Sequence, residues 1–313
     1  MIDLAAIEAA RARIAPHIRR TPVMALTQAK DPPPVSADLI LKLECLQVTG
    51  SFKARGAMNR FLGAPAQEVA AGIVTASGGN HGLAVARTAF AAKTRATIFL
   101  PSNVSPAKLS KMKAWGADTR IVGDAWDDAN AAALVFARET GAAYFHPFAD
   151  PLVVAGQGTL GLEIIEEMPD IDTILVAIGG GGLIAGLGTA FRALRPDIRV
   201  IGVEPTGSPT LKASLDAGRR VKLPSISTKV PTMACRETDE RIFDIVRQTV
   251  SDVLLVSDEA MEEASRRLWF EAGIAADLSG AASLAAVHVH RAALAASRRI
   301  CVLVCGAGPE GTT

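Results

Sequence analysis

Aromatic side chains are scarce in this chain: phenylalanine, tyrosine and tryptophan together make up 4%, with a single tyrosine. That excludes the stacking platforms that hold single-stranded nucleic acid. Net charge is nearly absent too. Thirty-three Lys and Arg against 32 Asp and Glu leave +1, so no global field steers nucleic acid or an anionic membrane. No apolar run of about 18 residues escapes a charge or a glycine turn. The opening MIDLAAIEAARARIAPHIRR lacks the apolar core of a secretion signal. The chain therefore reads as soluble and cytoplasmic.

Cysteine is sparse, with four residues and no C-x-x-C pair. Cys301 and Cys305 lie in CVLVC, a strand-like run that would hold them about 13 Å apart, too far for a disulfide. Reduced thiols fit a cytoplasmic setting. Histidine numbers five, and only His288 and His290 are close. At i, i+2 on a helical pattern they point apart, so no metal site is expected.

What remains is abundant apolar material, 49% of 313 residues. That supports one large or two smaller folding units. Helical periodicity covers about residues 3–19. Strand-like and helix-like segments then alternate: 39–44, 72–77, 96–101, 119–123, 173–179, 199–205 and 299–306 read as strands. Near-continuous apolar strands alternating with helices mean parallel sheets covered on both faces. Ligands on such sheets bind beyond the carboxyl ends of strands, which singles out residues 77–81, 179–182 and 305–306.

Two of these places carry chemistry. TILVAIGGGGLIAGLG puts four glycines, Gly179 to Gly182, where a strand feeds a helix. Backbone N–H groups and a helix N-terminus can converge there on a phosphate. Gly180, Gly182 and Ala185 also satisfy G-x-G-x-x-A, and Glu204 ends the next strand, so a nicotinamide-dependent oxidoreductase competes on local grounds. The other place is Lys53 in T-G-S-F-K-A-R-G. A lysine that forms a Schiff base must be partly uncharged at neutral pH. Desolvation by Phe52 and positive potential from Arg55 and a helix N-terminus would favour that. Taken alone, Lys53 equally fits a solvated surface lysine.

Together these segments resemble the threonine dehydratase and serine racemase group of fold-type II pyridoxal-phosphate enzymes. T-G-S-F-K-x-R-G resembles its cofactor-lysine motif, S-G-G-N-H (77–81) its S-x-G-N-H loop and G-G-G-G-L (179–183) its phosphate loop. HPFADPLVVAGQGTLGLEI (146–164) resembles the segment before that loop. The likeness spans about residues 13–308. It implies two parallel-sheet α/β domains of the tryptophan synthase β type. Residues 1–47 and 147–313 would form a large cofactor domain, and 48–146 a small mobile one. It implies pyridoxal 5'-phosphate joined to Lys53, with Phe52 near the ring and Asn80 on the ring hydroxyl. Gly179, Gly180, Gly181, Gly182 and the Leu183 backbone would hold the phosphate, and Cys305 would face the pyridine nitrogen. Ser77, Gly78, Gly79, Asn80 and His81 would grip the substrate carboxylate. Asn80 also fits an N-cap of the helix it begins. A thiol partner tempers the electron sink and favours elimination. Lys53 would remove the α-proton, the cofactor phosphate would protonate the leaving hydroxyl, and an enamine would hydrolyse to a 2-oxo acid and ammonia. A homodimer is implied as well.

The chain departs from the group in places. Racemases carry a serine base at the second position of S-x-G-N-H; here it is Gly78, which argues for elimination. Glycine there also leaves room for a bulkier substrate such as phenylserine or hydroxyaspartate. After G-V-E-P, where some relatives bind a divalent cation, Ser208 and Thr210 are weak ligands. The sequence ends at Thr313 without the regulatory domain of biosynthetic threonine dehydratases, which fits a catabolic role. LPSISTKVPTMACRE (223–237) matches no expected pattern and either shapes the pocket or connects the surface.

Overall fold

A computed structural model describes residues 2–312 as two sheets with helices packed on their faces. The strands are β1 (Val23–Ala25), β2 (Asp38–Lys42), β3 (Ile73–Ala76), β4 (Ala96–Leu100), β5 (Asp118–Ile121) and β6 (Ala143–Tyr144), then β7 (Thr173–Ala177), β8 (Arg199–Pro205), β9 (Asp252–Val256) and β10 (Arg299–Leu303). One sheet has the order β1-β2-β10-β7-β8-β9 and the other β5-β4-β3-β6. Every pairing is parallel except the edge pair β1–β2. That antiparallel strand was not anticipated, because three residues are too few to show a period.

The inner strands β3, β4 and β7 are buried along their whole length, as parallel strands roofed on both faces must be. The largest apolar cluster fills the space around the six-stranded sheet, with separate clusters about the four-stranded one. β10 returns from the chain end to lie between β2 and β7. The turns after β7 and β10 are thereby neighbours at the carboxyl end of the sheet.

The helix Lys53–Gly63 crosses the helix Pro151–Glu167 very closely. A Cβ on Gly156 would lie 2.7 Å from the Gly56 Cα, so the crossing requires glycine on both sides. Beneath it runs a buried ion network. Arg55 forks onto Glu44 (Nε–Oε2 2.8 Å, Nη2–Oε1 2.7 Å) and onto Glu163 (Nη1–Oε1 2.7 Å, Nη2–Oε2 2.9 Å). Thr21 donates to Glu44 (2.6 Å), and buried Lys42 donates to Glu167 (2.6 Å). Two bidentate forks fix the guanidinium plane and, with it, the helix that starts at Lys53.

Candidate active site

Lys53 opens its helix behind a strained approach: Thr49 has φ 68° and Gly50 φ 88°. A β-branched residue in the left-handed region is uncommon and marks a segment held by its surroundings. The Lys53 Nζ donates to the Pro147 carbonyl at 2.6 Å and lies 5.2 Å from the centroid of the Phe52 ring. The residue keeps some accessible surface, yet its amine has lost enough water for desolvation to lower its pKa from 10.5 to about 8. Arg55 does not contribute: its charge is spent on Glu44 and Glu163. Desolvation, not a neighbouring cation, activates the amine.

The glycine turn follows β7 and enters the helix Gly182–Leu194, whose N-cap Gly181 sits at φ 89° and provides no side-chain cap. Side chains cannot replace these glycines. A Cβ on Gly180 would overlap the Phe148 ring, one on Gly182 would lie 2.6 Å from the Phe148 carbonyl oxygen, and one on Gly179 would lie 2.7 Å from the Thr232 carbonyl oxygen. Phe148 thus packs against the glycine turn one residue beyond the carbonyl that holds Lys53. The amine and the turn are brought together through Pro147-Phe148, which the sequence reading quoted but left without a role. Within the 223–237 segment, Thr232 and Met233 pack against Gly179, and Thr232 also against Gly79.

Asn80 begins the helix Asn80–Ala92, but it does not cap it. Its amide instead donates to Asp277 Oδ2 at 2.8 Å. His81 is buried, its Nε2 is 3.1 Å from the Phe145 carbonyl and its Nδ1 has no partner. Burial, then the Lys53 charge, lowers its pKa to about 3, so the ring is neutral. His146 accepts at Nδ1 from the N–H groups of Phe148 (3.2 Å) and Ala149 (2.9 Å). Its pKa is lowered to about 4 by burial and then by Lys53, which leaves a neutral ring with its proton on Nε2. Cys305 is buried after β10, and its carbonyl accepts from the Phe52 N–H at 3.3 Å. Its thiol donates to the Ser279 carbonyl at 3.4 Å. Burial and then Asp277 push the thiol well above its ordinary range, so it remains an S–H.

Two expectations are revised. Gly78 does not open a void: a Cβ there would approach Val104 Cγ2 at 3.2 Å, with Pro101 at 3.8 Å. Glu204, which a dinucleotide site would need for a ribose, accepts instead from the backbone of Leu211 (2.8 Å) and Lys212 (2.9 Å). The Ser208 and Thr210 hydroxyls both donate to the Cys235 carbonyl. Asp277 escaped the sequence reading, although an aspartate just before a helical pattern is a recognisable N-cap signal.

The parallel sheets, the desolvated amine and the uncapped glycine turn define an α/β enzyme built around a lysine and a glycine turn. Residues 14–306 match the pyridoxal-phosphate dependent enzyme family, and the chain belongs to it. It is 37% identical over 303 residues to L-threonine ammonia-lyase of Geobacter sulfurreducens, covering 97% of this chain and 75% of that one. Phenylserine dehydratase of Ralstonia pickettii is 33% identical over 311 residues, covering 99% and 94%. The solved structure of maize serine racemase superposes with a TM-score of 0.93 at 35% identity, covering 97% and 93%. No helix among the described residues is long and apolar enough to cross a membrane.

The site fits pyridoxal phosphate by its own chemistry. Among the described residues the amine has no carboxylate partner, and its pKa is lowered to about 8. The glycine turn gives a helix N-terminus with no side-chain cap. Beside Lys53 in the chain, the buried Thr49 and Ser51 hydroxyls have no hydrogen-bond partner among the described residues, and neither does His81 Nδ1. Buried polar atoms left unpaired are costly, and a bound polar group would satisfy them.

Proposed function

We propose that this chain is a pyridoxal-phosphate dependent ammonia-lyase that converts L-threonine and L-serine to a 2-oxo acid and ammonia. The observation that carries it is the Lys53 amine, desolvated to a pKa of about 8 and held by the Pro147 carbonyl beside the glycine turn. When bound, the cofactor supplies the electron sink that makes an amino acid's α-proton removable. Lys53 anchors it and, once released, takes that proton at Nζ. Gly179 to Gly182 and the Leu183 N–H hold the phosphate, aided by the helix N-terminus. With the cofactor bound, the Asn80 amide would donate to the ring hydroxyl, and the Cys305 sulfur would lie by the pyridine nitrogen without placing a full negative charge there. The Ser77–His81 turn, with the N-terminus of the helix Asn80–Ala92, orients the substrate carboxylate. Residues 1–47 and 147–313 form the cofactor domain and 48–146 the smaller mobile one. The protein works as a cytoplasmic homodimer.

Gly78 leaves no second base opposite Lys53, and the space beside it is bounded by Val104 and Pro101. Both features favour elimination from small substrates. The expected order of 2-oxo acid release is threonine and serine above phenylserine and hydroxyaspartate, with D-serine formation far slower than ammonia release. The phenylserine dehydratase relative, aligned over 99% of the chain, supports a second reading. Phenylserine turning over fastest would replace the first reading with it.

The pH dependence of cofactor capture has a definite sign. Only the uncharged amine attacks a carbonyl, and lowering its pKa raises that fraction at any pH below the ordinary lysine value. Covalent capture of pyridoxal phosphate by the apoprotein should rise with pH to a plateau with a midpoint near 8, not near 10.5. Stopped-flow absorbance across that range checks it; a midpoint near 10 would mean that the amine is solvated.

A further inference from the structure

Asp277 is a buried carboxylate, 2% exposed, and no ion pair is formed with it among the described residues. Its Oδ1 accepts from the Gly280 N–H at 2.7 Å and the Ser279 hydroxyl at 2.7 Å. Its Oδ2 accepts from the Asn80 amide at 2.8 Å. The Asp277 N–H donates to the Gly306 carbonyl at 3.0 Å. One residue therefore joins three segments: its carboxylate holds the turn after β3 in the four-stranded sheet and the start of the helix Leu278–Val289, and its backbone N–H holds the turn after β10 in the six-stranded sheet. Packing is tight at their junction. A Cβ on Gly306 would lie 2.7 Å from Asp277 Oδ2 and 2.8 Å from Asn80 Nδ2.

An amide end can present either N–H donors or an oxygen acceptor, and only its partners decide which. An ionised carboxylate accepts only. A flipped Asn80 would set its oxygen against the Asp277 oxygen, losing a charge-assisted hydrogen bond and adding repulsion. We propose that Asp277 is a positioning residue that locks the Asn80 amide so that its remaining N–H, and not its oxygen, faces the cofactor ring hydroxyl. This rests on the reading of Asn80 given above. Holding a donor there stabilises the ring oxygen as an anion, so Asp277 sets both cofactor affinity and the ionisation of the bound ring. It acts through Asn80 and touches no reacting atom.

The test is a double-mutant cycle on the full chain. Pyridoxal phosphate is titrated into wild type, Asn80→Ala, Asp277→Ala and the double variant, reading the dissociation constant and the visible absorbance band of the lysine-linked cofactor. Each single variant should bind about ten-fold more weakly and shift the band to shorter wavelength. The double variant should be no worse than Asn80→Ala alone. A merely structural role would lower thermal stability but leave the band in place and make the two losses multiply; either result overturns the inference. Should Asp277→Ala not fold, Asp277→Asn gives the same reading: Gly280 and Ser279 hold its oxygen, so its NH2 would face Asn80 and favour the flipped amide. An unchanged band in Asp277→Asn overturns the inference too. A band present in wild type but insensitive to Asp277 sinks only this inference. A wild-type protein with no band, or Lys53→Ala retaining it, sinks the underlying assignment together with it.

Discussion

Lys53→Ala is expected to lower turnover of threonine and serine by at least about 10³-fold, because the proposed function makes one residue both the covalent anchor and the base. Pyridoxal phosphate should still enter, since the glycine turn and Asn80 are untouched, but without the visible band of the lysine-linked form. Lys53→Arg should fare no better. Its guanidinium stays charged in a setting that burial has tuned for a neutral amine. Borohydride treatment of the wild type with cofactor should fix one adduct on the peptide carrying Lys53, and mass spectrometry reads it. Retained turnover in Lys53→Ala would remove the residue from both roles and leave His81 and His146 among the neighbouring titratable side chains that could act instead. In that variant the Lys53 charge is gone, but burial, the larger cause, still keeps both rings poor bases, so neither is expected to replace it.

The largest effect on folding is expected at Arg55. Removing its guanidinium leaves Glu44, which is fully buried, with Thr21 as its remaining side-chain donor, and Glu163 with the 3.3 Å contact to Lys42. Breaking a buried pair from one side costs about 3–5 kcal/mol, since an uncompensated charge stays behind. Arg55→Met should therefore lower the unfolding free energy by that amount, read as a lower urea midpoint at unchanged slope. Arg55→Lys should also lose stability, because an ammonium cannot form two forks. The combined Arg55→Met, Glu44→Leu change should recover part of the loss, since apolar replacement of a buried pair is often neutral. Cofactor affinity should fall in parallel, because the helix that begins at Lys53 is held by this network. An Arg55→Met protein with unchanged midpoint would mean that water reaches these carboxylates.

The parts legible in the sequence were those with local signals. Apolar runs marked β3, β4, β7, β8 and β10 within a residue or a few of their ends, and four consecutive glycines marked a strand-to-helix turn. The helix Glu240–Thr249 and strand β9 were not assigned, nor was β6, whose two residues are too few for any periodicity. Lys53 emerged through agreement among separate motifs, not through its own surroundings.

What the sequence by itself determined is the alternation of strands and helices, the glycine turn, and the cofactor class those motifs share. Each arises from spacing within a few residues, which periodicity and turn chemistry express directly. Only the tertiary structure decided that desolvation tunes Lys53, that Arg55 belongs to the buried network, that Val104 bounds the space at Gly78, and that Asn80 answers to Asp277. That last pair is separated by 197 positions. A side chain's charge state and hydrogen-bond partners depend on which segments fold against it and how much water they exclude, and no local pattern carries that information.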